Sequence, residues 1–269
     1  MTVLRTLRCG ITALSLVVCS TFAVAQADAA SALEKVKSSG EIQVGWAEWR
    51  PMEYRDTSTG DLKGVLIAFA EELAKRLGAK ADFVEDNWST LPAGIAADKF
   101  QIALMGITEA RQKVLDFSQP LYHVPFTVIV KDSSNLKTFD QVNTTENSIA
   151  VTTGSSTDEL LAGMERAGKL KAKVVRLKDV GGALLSVTTG KTTAFASSID
   201  DLSQIVKQQK ALRIVDGSFG ASIFAVSHAK GQKDMNEAID KGVSAMIQDG
   251  TVAKLLVQYS VSGSVAGAE

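Results

Sequence analysis

Residues that commonly build disulfides and metal centres are scarce in this sequence. Two cysteines and two histidines occur among 269 residues, and both cysteines, Cys9 and Cys19, lie near the N-terminus. His123 and His228 are far apart along the chain, which argues against a transition-metal site. The sequence also contains no phosphate-binding loop and no dinucleotide-binding fingerprint. We therefore predict no metal and no cofactor.

Long apolar runs and an excess of basic residues are also missing after the first 25 residues. Removing Arg5 and Arg8 from the 29 Lys and Arg leaves 27 against 30 Asp and Glu, a formal net charge of −3. This balance argues against nucleic acid as a partner, because proteins that bind it neutralise phosphates with basic side chains. No later run approaches the length of about 20 apolar residues that a transmembrane helix needs. The sequence predicts a soluble, exported protein.

The first 25 residues have the features of a secretory signal peptide. Their two arginines precede an uncharged apolar run that begins at Cys9, and Ala23-Val24-Ala25 forms a small-x-small cleavage pattern. We exclude residues 1–25 from the fold and predict export to the periplasm. After cleavage, the mature chain would have no thiol and no disulfide. The alternative is that Cys19 becomes a lipidated N-terminus.

Residues 100–120 combine a predicted strand with a predicted helix start. Residues 100–106 are a short apolar run, typical of a strand buried in a parallel sheet. Thr108 is a good N-cap, and the residues after it indicate a helical turn as far as Lys113. A strand that ends beside a helix start leaves free backbone N–H groups at the carboxyl edge of a sheet. Anions bind at such edges in α/β folds.

Arg111 falls in the first turn of this predicted helix. There its charge opposes the helix dipole, at a cost of roughly 0.3–1 kcal/mol. An anion held nearby would offset that cost, so Arg111 is a candidate anion-binding residue. The alternative is a surface arginine paired with Asp116 or Glu109.

The rest of the chain alternates predicted helices and strands, which is typical of an α/β fold. The first series has helices at residues 30–40, 64–78 and 91–98, with strands at 41–46, 81–85 and 100–106. The second series has strands at residues 125–131, 149–152, 173–177, 193–196 and 221–227, with helices at 159–166, 234–248 and 252–258. Residues 260–269 are small and polar, and we expect this tail to fray.

Four blocks of sequence occur in an order that resembles a known family. They are residues 64–78, 100–122, 151–161 and 219–256, the second of which is FQIALMGITEARQKVLDFSQPLY. This order is similar to that of the bacterial family 3 extracellular solute-binding proteins, the polar amino acid receptors of ABC importers. The similarity extends over nearly all of residues 41–259.

The resemblance implies an α/β protein with the two-lobed type II periplasmic binding protein fold. Residues 31–124 and 222–269 would form lobe 1 and residues 125–221 lobe 2, joined by two crossover strands near residues 123–126 and 221–225. The ligand, an amino acid or a related carboxylate, would be trapped between the lobes as they close. The family's partner is an ABC transporter permease in the inner membrane, and we expect a monomer.

The resemblance also implies which residues of lobe 1 bind the ligand. Thr108 would place its hydroxyl, and Arg111 its bidentate guanidinium, on the ligand carboxylate. The carbonyl of Gly106 would face the ligand amine. Trp49 would stack on the ligand, and Trp88 would line the pocket.

A loop of lobe 2 would approach the same carboxylate from the other side of the cleft. Its backbone N–H groups lie in residues 154–157, which include Ser155, Ser156 and Thr157. The start of a helix at this loop agrees with that role, because helix N-termini bind anions. The alternative is a capping box formed by Ser156 and Glu159, which by itself would explain both residues.

Two departures from the family pattern bear on the ligand. The family places four residues between its hydroxyl residue and its arginine, whereas here only two separate them, so the arginine is expected at a different angle. Ser198 stands where the family has an acid that holds the ligand ammonium. Asp200 or Asp201 could replace that acid, or both could be the exposed start of a helix. Glu48 is the best remaining candidate to meet a cation.

These residues favour a receptor for a small carboxylate-bearing solute whose amine is absent, substituted or held mainly by Glu48. Standard polar amino acids are the default ligands. A second hypothesis is an exported dehydratase of the same fold that acts on cyclic carboxylates, with Glu48 or Asp200 as general acid. A third is a periplasmic partner or sensor protein that has lost ligand binding. We predict a binding protein and not an enzyme.

Overall fold

A computed structural model of the chain describes residues 31–266. The predicted signal peptide and both cysteines therefore lie outside the described residues. Within residues 31–266, helices and strands alternate along most of the chain, in agreement with the predicted α/β class. No helix in this range is both long enough and apolar enough to cross a membrane.

Several helices of the described chain begin at a side-chain N-cap. At the first of them, Ser31 and Glu34 form a capping box, and Gly40 ends the helix in the left-handed conformation. In chain order the helices are α1 (Ala32–Ser39), α2 (Val65–Arg76), α3 (Leu91–Ala96), α4 (Glu109–Gln112), α5 (Phe139–Val142), α6 (Ser156–Arg166), α7 (Val180–Thr189), α8 (Ile199–Gln208), α9 (Lys233–Gln248) and α10 (Thr251–Gln258).

The strands of the described chain are mostly short apolar segments. In chain order they are β1 (Glu41–Trp46), β2 (Tyr54–Arg55), β3 (Leu62–Lys63), β4 (Lys80–Glu85), β5 (Ile102–Gly106), β6 (Leu115–Phe117), β7 (Tyr122–Lys131), β8 (Ser148–Thr152), β9 (Lys173–Leu177), β10 (Ala194–Ser198), β11 (Leu212–Ile214), β12 (Gly220–Ala229) and β13 (Ser264–Val265).

One curled sheet joins eleven of these strands. Its main path runs β4-β1-β5-β12-β7-β10-β8-β9, while β6, β11 and β13 pair beside this path, and β2 with β3 forms a separate hairpin. The ten-residue strands β7 and β12 pair antiparallel at the centre, with Phe126 opposite Gly220 and Tyr122 opposite Phe224. Beyond this shared segment, β12 pairs with β5 and β7 pairs with β10.

The buried apolar side chains form separate clusters on the two sides of this central pair. The largest cluster takes its buried members from residues 32–126 and 224–261. Two smaller clusters take theirs from residues 128–215. The chain thus passes between clusters within β7 and before Phe224 of β12, where the crossovers are predicted. The division into two lobes with the stated bounds stays a prediction.

Most predicted elements agree with the structure, and β1 and β9 have the predicted bounds. The sequence analysis does not predict α7 or α8. In α7, two glycines and two threonines weaken the local helical signal. Asp179 nevertheless caps the helix, because its side chain accepts a hydrogen bond from the Gly182 N–H at 2.7 Å. The helix packs on β8 and β10.

The prediction that the C-terminal tail frays is wrong for the part that the structure describes. β13 pairs antiparallel with β7 at Tyr122 and His123. Gly263 allows this approach, because a Cβ there would lie 2.6 Å from the carbonyl oxygen of His123. The tail therefore adds a strand beside the predicted first crossover.

Candidate functional site

Arg111 lies buried at the point where the first helix after β5 meets the start of α6. Thr108 caps α4, as predicted, and its hydroxyl accepts a hydrogen bond from the Arg111 N–H at 3.2 Å. The Arg111 side chain is turned inward, and the residue is 4% exposed. Its Nη1 donates to the carbonyl of Gly106 at 2.8 Å and to Ser156 Oγ at 3.1 Å. Its Nη2 donates to the carbonyl of Gly154 at 2.8 Å.

The partners of this guanidinium are neutral oxygens. Burial lowers the pKa of Arg111 to about 10, and the charge of Glu159 acts in the opposite direction. The alternative of a surface arginine paired with Asp116 or Glu109 is wrong, because each of these acids pairs with a lysine. Among the ion pairs of residues 31–266, none includes Arg111.

The start of α6 presents to Arg111 a serine hydroxyl that does not cap the helix. Ser155 is the N-cap, and its hydroxyl accepts a hydrogen bond from the Asp158 N–H at 3.2 Å. The alternative of a capping box formed by Ser156 and Glu159 is therefore wrong. Since Ser155 caps the helix, the Ser156 hydroxyl is available to accept from Arg111. The N–H groups of Ser156 and Thr157 belong to the first turn, where a helix offers no internal acceptor.

A small cavity lies beside this helix start. It encloses about 30 Å³, which holds roughly two water molecules. An amino acid would fit into the cavity only if the surrounding segments moved apart. Its walls are aromatic, aliphatic or hydroxyl-bearing, and they are formed by Trp49, Trp88, Phe126, Thr152, Ser155, Ser156, Thr157, Val180, Ala196, Ser197 and Phe224.

Two predicted tryptophans form one wall of the cavity. Trp49 and Trp88 meet edge to face, with ring centroids 5.7 Å apart, and Trp49 also packs on Phe224 at 5.2 Å. Such contacts hold the rings in one orientation. The wall is therefore built from three aromatic side chains on separate segments of the chain.

Glu53 holds the loop that presents Trp49, and the sequence analysis does not identify it. The backbones of Trp49 and Glu53 exchange hydrogen bonds of 2.7 and 2.8 Å. The Glu53 carboxylate accepts a hydrogen bond from the Ala47 N–H at 3.2 Å. Burial raises the pKa of Glu53 well above its ordinary value. A lone acid in a turn is usually exposed, so the sequence carried no signal for this role.

Glu48 lies away from the cavity. Its side chain is 48% exposed and pairs with Arg50 Nε at 3.1 Å. Its other oxygen accepts a hydrogen bond from the Arg55 N–H at 3.2 Å. This position does not agree with the expected contact between Glu48 and a ligand cation. Its neighbour Trp49 is only 7% exposed, so the loop buries one of these two adjacent side chains and leaves the other in solvent.

The end of β10 places Ser197 in the cavity wall and Ser198 behind it. Ser198 is fully buried and caps α8, where its hydroxyl accepts a hydrogen bond from the Asp201 N–H at 3.2 Å. Ser197 Oγ donates to Asp201 Oδ2 at 2.6 Å. Ser197, which the sequence analysis does not identify, is thus the residue of this pair that lines the cavity.

Asp200 and Asp201 are buried, so the alternative that both lie on the surface is wrong. They are 4% and 2% exposed. Burial raises the pKa of Asp201 to about 7, the Ser197 hydrogen bond acts in the opposite direction, and the charge of Asp200 adds to the rise. Asp200 Oδ1 accepts a hydrogen bond from the Ser262 N–H at 2.8 Å, and its Oδ2 has no partner among the described residues.

Thr108 and Gly106 lie at the edge of the cavity and not in its wall. Thr108 lines a neighbouring groove of about 350 Å³ that also contacts Ser156 and Ser222. The carbonyl of Gly106 is occupied by Arg111. Ser156 therefore joins the cavity, the groove and the guanidinium, and the predicted residues other than Glu48 and Ser198 gather around it.

A family model for bacterial extracellular solute-binding proteins, family 3, matches residues 42–262. The chain belongs to this family. The L-cystine-binding protein TcyJ of Escherichia coli (strain K12) is 25% identical over 228 residues, which are 83% of this chain and 84% of that protein. The cyclohexadienyl dehydratase of Pseudomonas aeruginosa is 28% identical over 167 residues, 60% of each chain.

Several solved structures share the fold of this chain. The ancestral amino acid-binding protein AncCDT-1, a precursor of cyclohexadienyl dehydratase, is 26% identical and has a TM-score of 0.73. The match covers 86% of this chain and 99% of that chain. The type II periplasmic binding protein fold expected from the sequence is confirmed.

Proposed function

We propose that this family 3 protein is the solute-binding receptor of an ABC importer. Its ligand would be a small carboxylate-bearing solute, an amino acid or an amino acid derivative. The observation that carries the proposal is the buried guanidinium of Arg111, whose partners within the described chain are neutral oxygens from β5 and from the start of α6. A carboxylate would be a stronger partner, because it adds charge attraction and can accept two parallel N–H bonds from the planar guanidinium.

The same atoms suggest how ligand binding changes the conformation. Arg111 belongs to the segment that would form lobe 1, whereas Gly154 and Ser156 belong to the segment that would form lobe 2. Opening at the β7 and β12 crossovers would break the two hydrogen bonds between these segments and expose the cavity. A carboxylate would then bridge Arg111 and the N–H groups of Ser156 and Thr157. Only the closed form has both sets of contacts, so the ligand would favour closure.

Export to the periplasm and delivery to a membrane permease complete the proposal. Residues 1–25 would direct export, and the closed receptor would present surfaces of both lobes to the permease. We also propose that the receptor is a monomer, as the sequence analysis expects.

The test begins with calorimetry on refolded protein against amino acids and their carboxylate derivatives. We expect Arg111→Ala to weaken binding of the best ligand at least tenfold, or about 1.4 kcal/mol. The affinity of Arg111→Lys should lie between that of wild type and that of Arg111→Ala, because lysine keeps the charge and loses the planar fork. The exposed Lys37, in the last turn of α1, lines neither the cavity nor the neighbouring groove and provides the control substitution Lys37→Ala. Equal affinity of Arg111→Ala and wild type would refute the carboxylate site.

The similarity to a cyclohexadienyl dehydratase supports a second candidate function on the same site. A dehydratase would need a general acid in contact with its substrate. Glu48 does not line the cavity, and Asp201 lies one side chain behind its wall. Incubation with a cyclohexadienyl carboxylate, followed by mass spectrometry for loss of water, tests this candidate. Turnover would replace the receptor proposal, and binding without turnover would support it.

A further inference from the structure

Two serine hydroxyls with opposite hydrogen-bonding roles line the same cavity. Ser156 Oγ accepts a hydrogen bond from Arg111, and Ser197 Oγ donates one to Asp201. A hydroxyl has one proton and two acceptor positions. Ser156 therefore retains its proton for a group in the cavity, whereas Ser197 retains its lone pairs. The cavity offers a donor at one serine and an acceptor at the other.

Each serine is backed by a buried charge that has no counter-ion in the described chain. Arg111 stands behind Ser156, and Asp201, next to the buried Asp200, stands behind Ser197. Among the ion pairs of residues 31–266, none includes either aspartate. Buried charges without partners are costly. A ligand with an anionic and a cationic end would offset both costs.

The surroundings of Asp201 hold no cation that could take this role. α8 packs on β7, β10 and β11. Lys131 of β7 lies beside Gly190, and Arg213 of β11 donates to the carbonyls of Ser134 and Leu136. The remaining titratable groups on these elements are Asp200, Tyr122, His123 and Lys207, and Lys207 is exposed in the last turn of α8, at the opposite end of the helix from Asp201.

We propose that Asp201, acting through the Ser197 hydroxyl, is the positioning residue for a cationic N–H group of the ligand. The inference rests on the proposed function and extends it to the second end of the ligand. The carboxylate of Asp201 fixes Ser197 as a hydrogen-bond acceptor toward the cavity. Ser198 cannot take this role, because it is buried behind the wall and caps α8.

The ionisation of Asp201 gives this arrangement a pH signature. Because burial raises the pKa of Asp201 to about 7, the carboxylate fraction increases between about pH 6 and pH 8. A ligand cation at Ser197 favours the ionised form of Asp201. Affinity for an amine-bearing ligand should therefore rise with pH across this range, whereas affinity for the same molecule without its amine should not.

The experiment measures affinity for matched ligands by calorimetry on the full mature chain. The twenty common L-amino acids are screened first, and the tightest binder is then compared with the acid that lacks its α-amine. At pH 8 we expect wild type to prefer the amino acid by at least about tenfold. Asp201→Asn and Ser197→Ala should each reduce that preference to about threefold or less. Asp140→Asn is the control, because Asp140 is exposed in the first turn of α5 and lies outside the cavity wall.

The outcomes separate the two proposals. An unchanged preference and an unchanged pH profile in Asp201→Asn would overturn the role of Asp201. Equal wild-type affinity for the amino acid and its amine-free acid would overturn it as well, while leaving the carboxylate receptor intact. If neither kind of molecule binds, the receptor proposal itself fails. Should Asp201→Asn not fold, Ser197→Ala and the wild-type pH profile decide the question.

Discussion

The buried carboxyl of Asp201 makes a specific prediction about the stability of the protein without ligand. Its pKa rises from 3.8 to about 7 in the folded protein, and in the unfolded chain it returns to the ordinary value. Between these two values the folded state binds a proton that the unfolded state does not. The free energy of unfolding should therefore fall as pH rises from about 4 to 7.

The size of this effect follows from the pKa difference. A difference of about 3 corresponds to a loss of roughly 4 kcal/mol above pH 7. Asp201→Asn cannot ionise and should escape that loss. The variant should match wild type near pH 4 and become progressively more stable than wild type up to about pH 7. Urea unfolding at several pH values, read by tryptophan fluorescence, measures the difference.

Two further variants sharpen the assay. Ser197→Ala removes the hydrogen bond that holds the pKa of Asp201 down, so the loss of stability should extend to higher pH. Asp249→Asn should differ from wild type in the opposite direction, because Thr251 and Arg76 lower the pKa of Asp249 to about 2. A stability difference between Asp201→Asn and wild type that stays constant from pH 4 to 8 would refute the buried, ionisable carboxyl.

Three other predictions concern the fold around the site. Gly106→Ala should lower the melting temperature, since its Cβ would overlap two serine hydroxyls. The control is Gly163→Ala at an open helical position, which should leave stability unchanged or raise it by about 0.5–1 kcal/mol. Trp49→Ala removes a cavity wall and should cost about 3–5 kcal/mol in chemical denaturation. A chain that ends after Ser260 lacks β13, so amide exchange should accelerate at the start of β7, and unchanged exchange there would contradict the pairing.

The region around Arg111 shows how far local sequence information reached. A β-strand followed by a capping threonine is a short-range pattern, and both the strand end at Gly106 and the cap at Thr108 are as predicted. The partners of the Arg111 guanidinium were not predictable in the same way. Gly154 and Ser156 are more than 40 residues away, and their approach depends on how β7 and β12 cross.

The capping of α6 shows a limit within a single loop. Ser155 and Ser156 are both suitable N-caps, and each has an acid three residues later. The sequence alone gives no energetic reason to prefer one of these serines as the cap. The structure uses Ser155 as the cap and leaves the Ser156 hydroxyl for Arg111, because only the second serine faces β5.

By itself the sequence determined the α/β class, the family and most helix and strand positions. These properties depend on periodicity, caps and ordered motifs, which act over a few residues. Only the tertiary structure decided which acids are buried. Glu48 next to Trp49 is exposed, whereas Asp201, which resembles a surface helix start, lies behind the cavity. Burial is set by segments that are distant in sequence, and here the C-terminal tail covers Asp200 through Ser262.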